Sequence, residues 1–125
     1  MKAQNLIERY QGGERDFVLV SLRGCDLSGA DLYQANLSGA DLGQANLSGA
    51  NLMGVRLRRA DLTWADLRRA SLSGADLGMA DLTGADLQET NLSFANLEGA
   101  NVTPVQLSQA ASLEGATLPN GTVHD

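Results

Sequence analysis

Three groups of side chains in this 125-residue chain are of a kind that does chemistry. The carboxylates come first. Asp41, Asp61 and Asp81 recur at intervals of twenty, and Asp26, Asp66 and Asp86 recur likewise with Asn46 in the gap. Carboxylates held in such a row would present an anionic surface that imitates DNA phosphates, or hold a cation weakly. The second group is basic. Arg56, Arg58, Arg59, Arg68 and Arg69 are five of the nine basic residues, and they crowd around Trp64, the only tryptophan. An exposed aromatic flanked by arginines has the composition of a protein-binding hot spot. The third group, Tyr33, Met53 and Phe94, is partly apolar; scattered apolar side chains of this kind are ordinary on a surface.

Catalysis finds no support in these groups. The one histidine, His124, is the next-to-last residue and has no base partner in reach of the pattern. The glycines recur singly and never form a phosphate-cradling loop between a strand and a helix. No His or Cys joins the aspartates, so neither a metal centre nor a cofactor is expected. The expectation is a protein that is not an enzyme.

The elements that hold these groups follow from one period. From position 17 to 107 every fifth residue is apolar: Phe17, then leucines interrupted only by Val102. Between 25 and 100 the residue two before each leucine is alanine except at Cys25, Val55 and Thr90. The residue just before the leucine is Asp or Asn from 26 to 101, except at Arg56 and Ser71. A helix turning about 100° per residue would scatter a five-residue period around its surface. A flat strand fails as well, because an odd repeat flips faces each time. Alanine and leucine, two apart, can share the inner face of a short extended piece if each repeat then bends. Ser, Gly, Thr, Gln and Arg after the leucine suit that bend.

The unbroken Ala-(Asp/Asn)-Leu-x-x run resembles the pentapeptide repeat family, and it covers about four-fifths of the chain. The resemblance implies an all-β solenoid, a right-handed quadrilateral β-helix with four repeats per coil. Phe17 to Val102 would then make about four and a half coils. Residues twenty apart would stack, so that Leu42, Leu62 and Leu82 form a core ladder. Asp41, Asp61 and Asp81 would form an anionic ladder outside it, preceded by Ser21 and followed by Asn101. These carboxylates have a structural alternative, since an Asp or Asn in this slot readily bonds nearby backbone. The five arginines would lie on one coil, with Arg59, Trp64 and Arg69 at successive corners. The belt also has a local alternative: Arg56 stacks below Asp76, the others lie near Asp66 and Asp86, and an arginine stem over Trp64 would make a cation–π contact.

One domain is expected, divided into an N-terminal helical cap (1–13), repeat coils (14–102), and a C-terminal helical cap with tail (103–125). Ala3, Leu6, Ile7 and Tyr10 mark one face of a helix over 2–11, stopped by Gly12-Gly13. Thr103-Pro104-Val105-Gln106 has the form of a capping box that opens a helix to about Ala110, taking Leu107 with it. Ser112 to Ala116 then resume the repeat one residue out of register, and Pro119-Asn120-Gly121 reads as a turn. The tail is similar to that of cyanobacterial members of the family. Cys25 fills an alanine slot and is expected to be buried and inert.

The net charge of −6 argues against nonspecific nucleic-acid binding. No apolar run is long enough for a membrane span, and the start lacks the pattern of a secretory signal, so a cytoplasmic location is expected; the capped ends favour a monomer over an end-to-end dimer. The partner is expected to be another protein. A non-enzymatic scaffold or protein-binding module comes first. A DNA mimic that binds type II topoisomerase (gyrase) follows from the resemblance, as some members of the family act that way. A purely structural unit with no specific ligand is third.

Overall fold

The computed structural model describes residues 1–125. Its backbone is a stack of bends joined by single parallel bridges between residues twenty apart. Ser21, Asp41, Asp61, Asp81 and Asn101 bridge in succession, and so do Asp26, Asn46, Asp66 and Asp86. Four such columns accompany each twenty-residue step, giving the coil four sides. No side is long enough to make a continuous strand.

The cause lies within each repeat. Two residues run extended, with alanine and leucine inward, and the leucine carbonyl then accepts the amide of the next alanine, as in Ala45 N–H to Leu42 at 3.0 Å. That bond closes a four-residue β-turn. Its third residue takes a positive φ at every fifth position from Leu19 to Gly99, which is the type II requirement. Between coils, the inward leucine amides from Leu22 to Leu82 donate to a carbonyl one storey up, as in Leu42 N–H to Asp61 at 2.8 Å; Asp61 in turn donates to Ala40 at 2.9 Å. Backbone bonding is thereby satisfied without long strands.

Leu42, Leu62 and Leu82 stack at 0–1 % exposure inside one cluster of alanines and leucines. Each buried leucine contributes about 1.5–3 kcal/mol gross. Thr90, in an alanine slot, is fully buried, and its hydroxyl donates to the Leu67 carbonyl at 2.6 Å. Cys25 departs from expectation. It is only partly buried, because no coil lies beneath it, and its thiol faces the Met1 carbonyl at 3.6 Å.

Two helices flank the stack. α1 spans Ala3–Gln11, one residue later than expected, and sends Leu6 into the core cluster. Gly12 and Gly13 accept its end: their amides donate to Glu8 and Tyr10, and Gly13 reaches φ +102°. The Tyr10 hydroxyl donates to the Tyr33 carbonyl at 2.8 Å, fastening the helix to the first coil. α2 is Pro104–Ser108, shorter than expected, and Thr103 and Gln106 form the reciprocal capping box. Leu107 lies within it and is buried.

After α2 the chain returns to the stack. Ser112 bridges Asn91 and Thr117 bridges Asn96, each twenty-one residues apart, which is the one-residue shift read from Ser112-Leu113. The final residues then reverse. Leu118 donates to Thr122 at 2.7 Å, His124 donates to Ala116 at 2.8 Å, and Thr117 pairs antiparallel with Val123. This hairpin occupies part of the last coil's open edge, which would otherwise present unpaired backbone. Val102, Leu107, Leu113 and Leu118 help line a cleft of about 500 Å3 at this end, outside the tight leucine stack. No helix is long and apolar enough to cross a membrane.

Removing one rung tests the packing. Leu62→Ala is expected to destabilise the fold by about 2–5 kcal/mol in denaturant titration, whereas a loss under 1 kcal/mol would mean that the core is not a continuous ladder.

Candidate interaction surface

The slot before each leucine is committed to the bend. In every Asp or Asn of that slot from 16 to 96, Oδ1 accepts the backbone N–H two residues on. Where Ser28, Ser38, Ser48, Thr63 or Thr83 follows, its hydroxyl donates to the same oxygen at 2.6–2.7 Å. The short side chain thus ties down the turn that its own repeat must make. The Asp41–Asp61–Asp81 ladder exists as a column, but a residue outside the expected set crosses it. Arg23 reaches Asp41 at 3.1 Å and Asp61 at 2.9 Å. No three His, Cys, Asp or Glu side chains converge as a metal-binding group.

These bonds shift the carboxylates. The Ser28 hydroxyl and then its amide hold the Asp26 carboxyl below the ordinary aspartate range. The Thr63 hydroxyl, against some burial and with help from the Thr63 amide and Arg23, does the same at Asp61. Arg68 depresses Asp66, chiefly through its side-chain hydrogen bond.

The arginines divide into two kinds. Arg68 pairs with Asp66 at 2.7 Å and approaches Asp86 at 3.8 Å, while Arg69 pairs with Glu89 at 3.0 Å. Arg58 takes Asp76 at 3.5 Å. Arg56, although it bridges Asp76 through the backbone, makes no ion pair, and neither does Arg59. Asp76 is occupied by the Gly78 amide, Arg58 and Asn96. Local charge compensation therefore accounts for three of the belt arginines and leaves two. Arg58 and Arg59 lie half a coil from Arg68 and Arg69, hence on opposite sides.

Trp64 points outward at 66 % exposure. No guanidinium lies over its ring; the cation–π contacts are Arg9 over Phe17 at 5.4 Å and Arg15 over Tyr10 at 3.7 Å. Its ring lies instead on the next coil's backbone, because a Cβ at Gly84 would sit 2.5 Å from Cδ2. The same pairing recurs. Leu19 covers Gly39, Gln34 covers Gly54, Met79 covers Gly99 and Phe94 covers Gly115. Tyr33 and Met53 stack on one side, and all three of Tyr33, Met53 and Phe94 are exposed, Phe94 resting over its glycine. The signal that would have revealed these supports was present in the chain: a glycine one coil beyond each of these five corner residues.

The family described as pentapeptide repeats, eight copies to a unit, matches residues 16–52, 35–74 and 65–103. The chain belongs to the pentapeptide repeat family. A pentapeptide repeat protein of the Arabidopsis thaliana thylakoid lumen is 38 % identical, with a TM-score of 0.64. The match covers 78 % of this chain and 63 % of that one, so this chain spans less than two thirds of the relative's length. A pentapeptide repeat protein from Nostoc is 45 % identical over 79 % of this chain and 74 % of its own, with a TM-score of 0.40. QnrB1, a plasmid-mediated fluoroquinolone resistance protein, is 28 % identical over 85 % of this chain and 63 % of its own, with a TM-score of 0.49. No curated protein matches the chain. Pentapeptide repeat proteins are generally structural or binding proteins rather than enzymes, and their solenoids are right-handed quadrilateral β-helices.

Two predictions concern this surface. An aspartate whose folded pKa is depressed stabilises the fold above its unfolded value, near pH 4, and that contribution is lost as pH falls through the lower folded value. Stability is therefore expected to decline below about pH 4, and Ser28→Ala to move the Asp26 titration upward by NMR; an unmoved Asp26 would contradict the assigned cause. Arg59, at φ +61° with no ion pair, holds a conformation that costs a side-chain-bearing residue about 1–2 kcal/mol. Arg59→Gly is expected to raise stability by up to about 1 kcal/mol, the left-handed cost less glycine's greater loss of backbone freedom, read as an increase in melting temperature; a decrease would show that the side chain contributes to the fold.

Proposed function

We propose that this chain is a non-enzymatic scaffold that binds another protein through the corners of its central coil, with Trp64 and Arg59 as the principal contacts. In this reading the rod has about four and a half coils, α1 and α2 close its ends, and the chain acts as a cytoplasmic monomer. One observation carries the proposal. Arg59, Trp64 and Arg69 are three successive corners without glycine, all at φ near +60°, and no other three successive corners between 19 and 99 lack glycine. Backbone strain gathered in one place marks a site where side chains are kept for something other than stability. Trp64 is exposed yet settled against Gly84, so it is pre-organised for contact and loses little freedom on binding. Arg59 and Arg56 keep their guanidinium donors free for a partner.

The topoisomerase reading has less in its favour. A DNA mimic needs an unbroken line of negative charge, whereas Arg23 spans Asp41 and Asp61, and Arg68 sits between Asp66 and Asp86. Trp64→Ala combined with Arg59→Ala is expected to remove at least one protein recovered by native pull-down, with the melting temperature kept within a few degrees. Recovery of an identical set of proteins would refute the belt as the contact. In a supercoiling assay, no effect on gyrase is expected even at high molar excess; inhibition would move the assignment to the anionic ladder.

A further inference from the structure

Reading upward, the corner that follows Leu27 and its stack-mates holds Gly29, Gly49, Arg69 and Glu89. Gly29 and Gly49 both have open space where a Cβ would project, and no other pair of stacked corner glycines does. Two clefts open there. One, of about 270 Å3, is lined by Ser48, Gly49, Arg68 and Arg69. The other, of about 440 Å3, lies between α1 and the first coil, where Tyr10 and Arg15 face Gly29, Ala30 and Asp31. They adjoin, since the Gly29 amide donates to the Ser48 carbonyl at 2.8 Å. The result is a groove parallel to the rod axis, floored by glycine, with arginine at each end.

The arginines keep donors in reserve. Arg15 stacks on Tyr10 and has no ion pair; its hydrogen bonds, to the Tyr10 and Glu14 carbonyls, both come from Nη1. Arg69 binds Glu89 through Nε alone, leaving both Nη groups. Arg68 uses Nε and Nη2 on Asp66. Asp31 is the one carboxylate lining the groove, and its Oδ1 already accepts from the Tyr33 amide at 3.2 Å and Asn51 at 3.3 Å. The carbonyls of Gly29 and Gly49 accept no hydrogen bond within the chain.

From these features we infer that the groove binds an extended acidic segment of a partner protein, with a carboxylate at each arginine end and backbone N–H groups donating to the glycine carbonyls. Gly29, which shares its cleft with Arg15, lies two coils below Arg69, on the order of 10 Å, and an extended peptide rises about 3.3 Å per residue, so the two carboxylates belong about three to five residues apart. A polyphosphate chain fits less well, because it brings no N–H donors for the glycine carbonyls. The inference extends the protein-binding reading to a second surface. It shares Arg69 with the belt but uses neither Trp64 nor Arg59.

The probe is a seven-residue peptide with glutamates at its second and sixth positions, titrated to millimolar concentration into the full chain labelled with 15N. Saturable shifts are expected at the Gly29 and Gly49 amides and at the Arg15 and Arg69 side chains. Gly49→Gln fills the groove with a residue that corners Gln34 and Gln44 already carry at φ 59° and 58°. It is expected to weaken binding at least tenfold while the melting temperature holds. Replacing both peptide glutamates by glutamine is expected to do the same, and Gly24→Gln, at an open corner elsewhere, to change nothing. No shifts with the acidic peptide, or shifts indifferent to Gly49→Gln, would overturn the inference. So would a six-nucleotide thymidine oligomer that produces them in the peptide's place. Trp64→Ala with Arg59→Ala is expected to leave the groove shifts intact, so the groove and the belt stand or fall separately.

Discussion

The turn from each leucine to the next alanine is the constraint that the rest of this structure obeys. It fits two inward-facing residues and a reversal of direction into five positions, and it does so by placing one residue per repeat in the left-handed region. Once that is imposed, a leucine amide can reach a carbonyl nineteen residues on, and the core becomes a column of like side chains. Short bridges suffice because each repeat is held twice, by its own turn bond and by the coil above. The Asp and Asn slots belong to the same constraint, since each Oδ1 fastens the amide that enters the turn.

This explains the acidity better than a ligand does. Carboxylates recur on several sides because each serves its own turn, and the shifts at Asp26, Asp61 and Asp66 have adjacent hydroxyl, amide or guanidinium donors as their cause. Against this background the arginines of the central coil are the departure that needs a reason. Arg58, Arg68 and Arg69 have one in nearby carboxylates. Arg56 and Arg59 do not.

Much of the architecture was legible because it depends on local rules. The inward Ala–Leu pair follows from spacing, the Leu42–Leu62–Leu82 column from the coil of four repeats that the family resemblance implies, the α2 start from Thr103 and Gln106, and the resumed register from Ser112-Leu113. What escaped depended on contacts between coils. Arg23 lies well before the arginine cluster in the chain, yet its long side chain spans two storeys to Asp61. The terminal hairpin pairs Val123 with Thr117 by backbone alone, which leaves no side-chain pattern to read. Cys25 matched the alanine slot, but a slot in the first coil lacks a neighbour below. The Trp64–Gly84 support needed the coil period before its two residues could be seen as partners.

The same geometry limits where recognition can be written. Alanine and leucine are spent on the core, and the residue before leucine on the turn, so only the two residues after leucine are free. The first of these projects from a flat side, beside its equivalents in neighbouring coils. The second stands at a corner, where any residue but glycine carries a conformational cost of about 1–2 kcal/mol. Specificity at a corner therefore comes in two forms. A side chain can be kept there against that cost, as at Arg59 and Trp64. Glycine can instead be retained through successive coils, so that the backbone itself becomes the surface, as at Gly29 and Gly49. A rod built from one repeated turn thus presents both a ridge and a groove without any change in its core, and the arrangement of glycines around the corners determines which partner shape each edge admits.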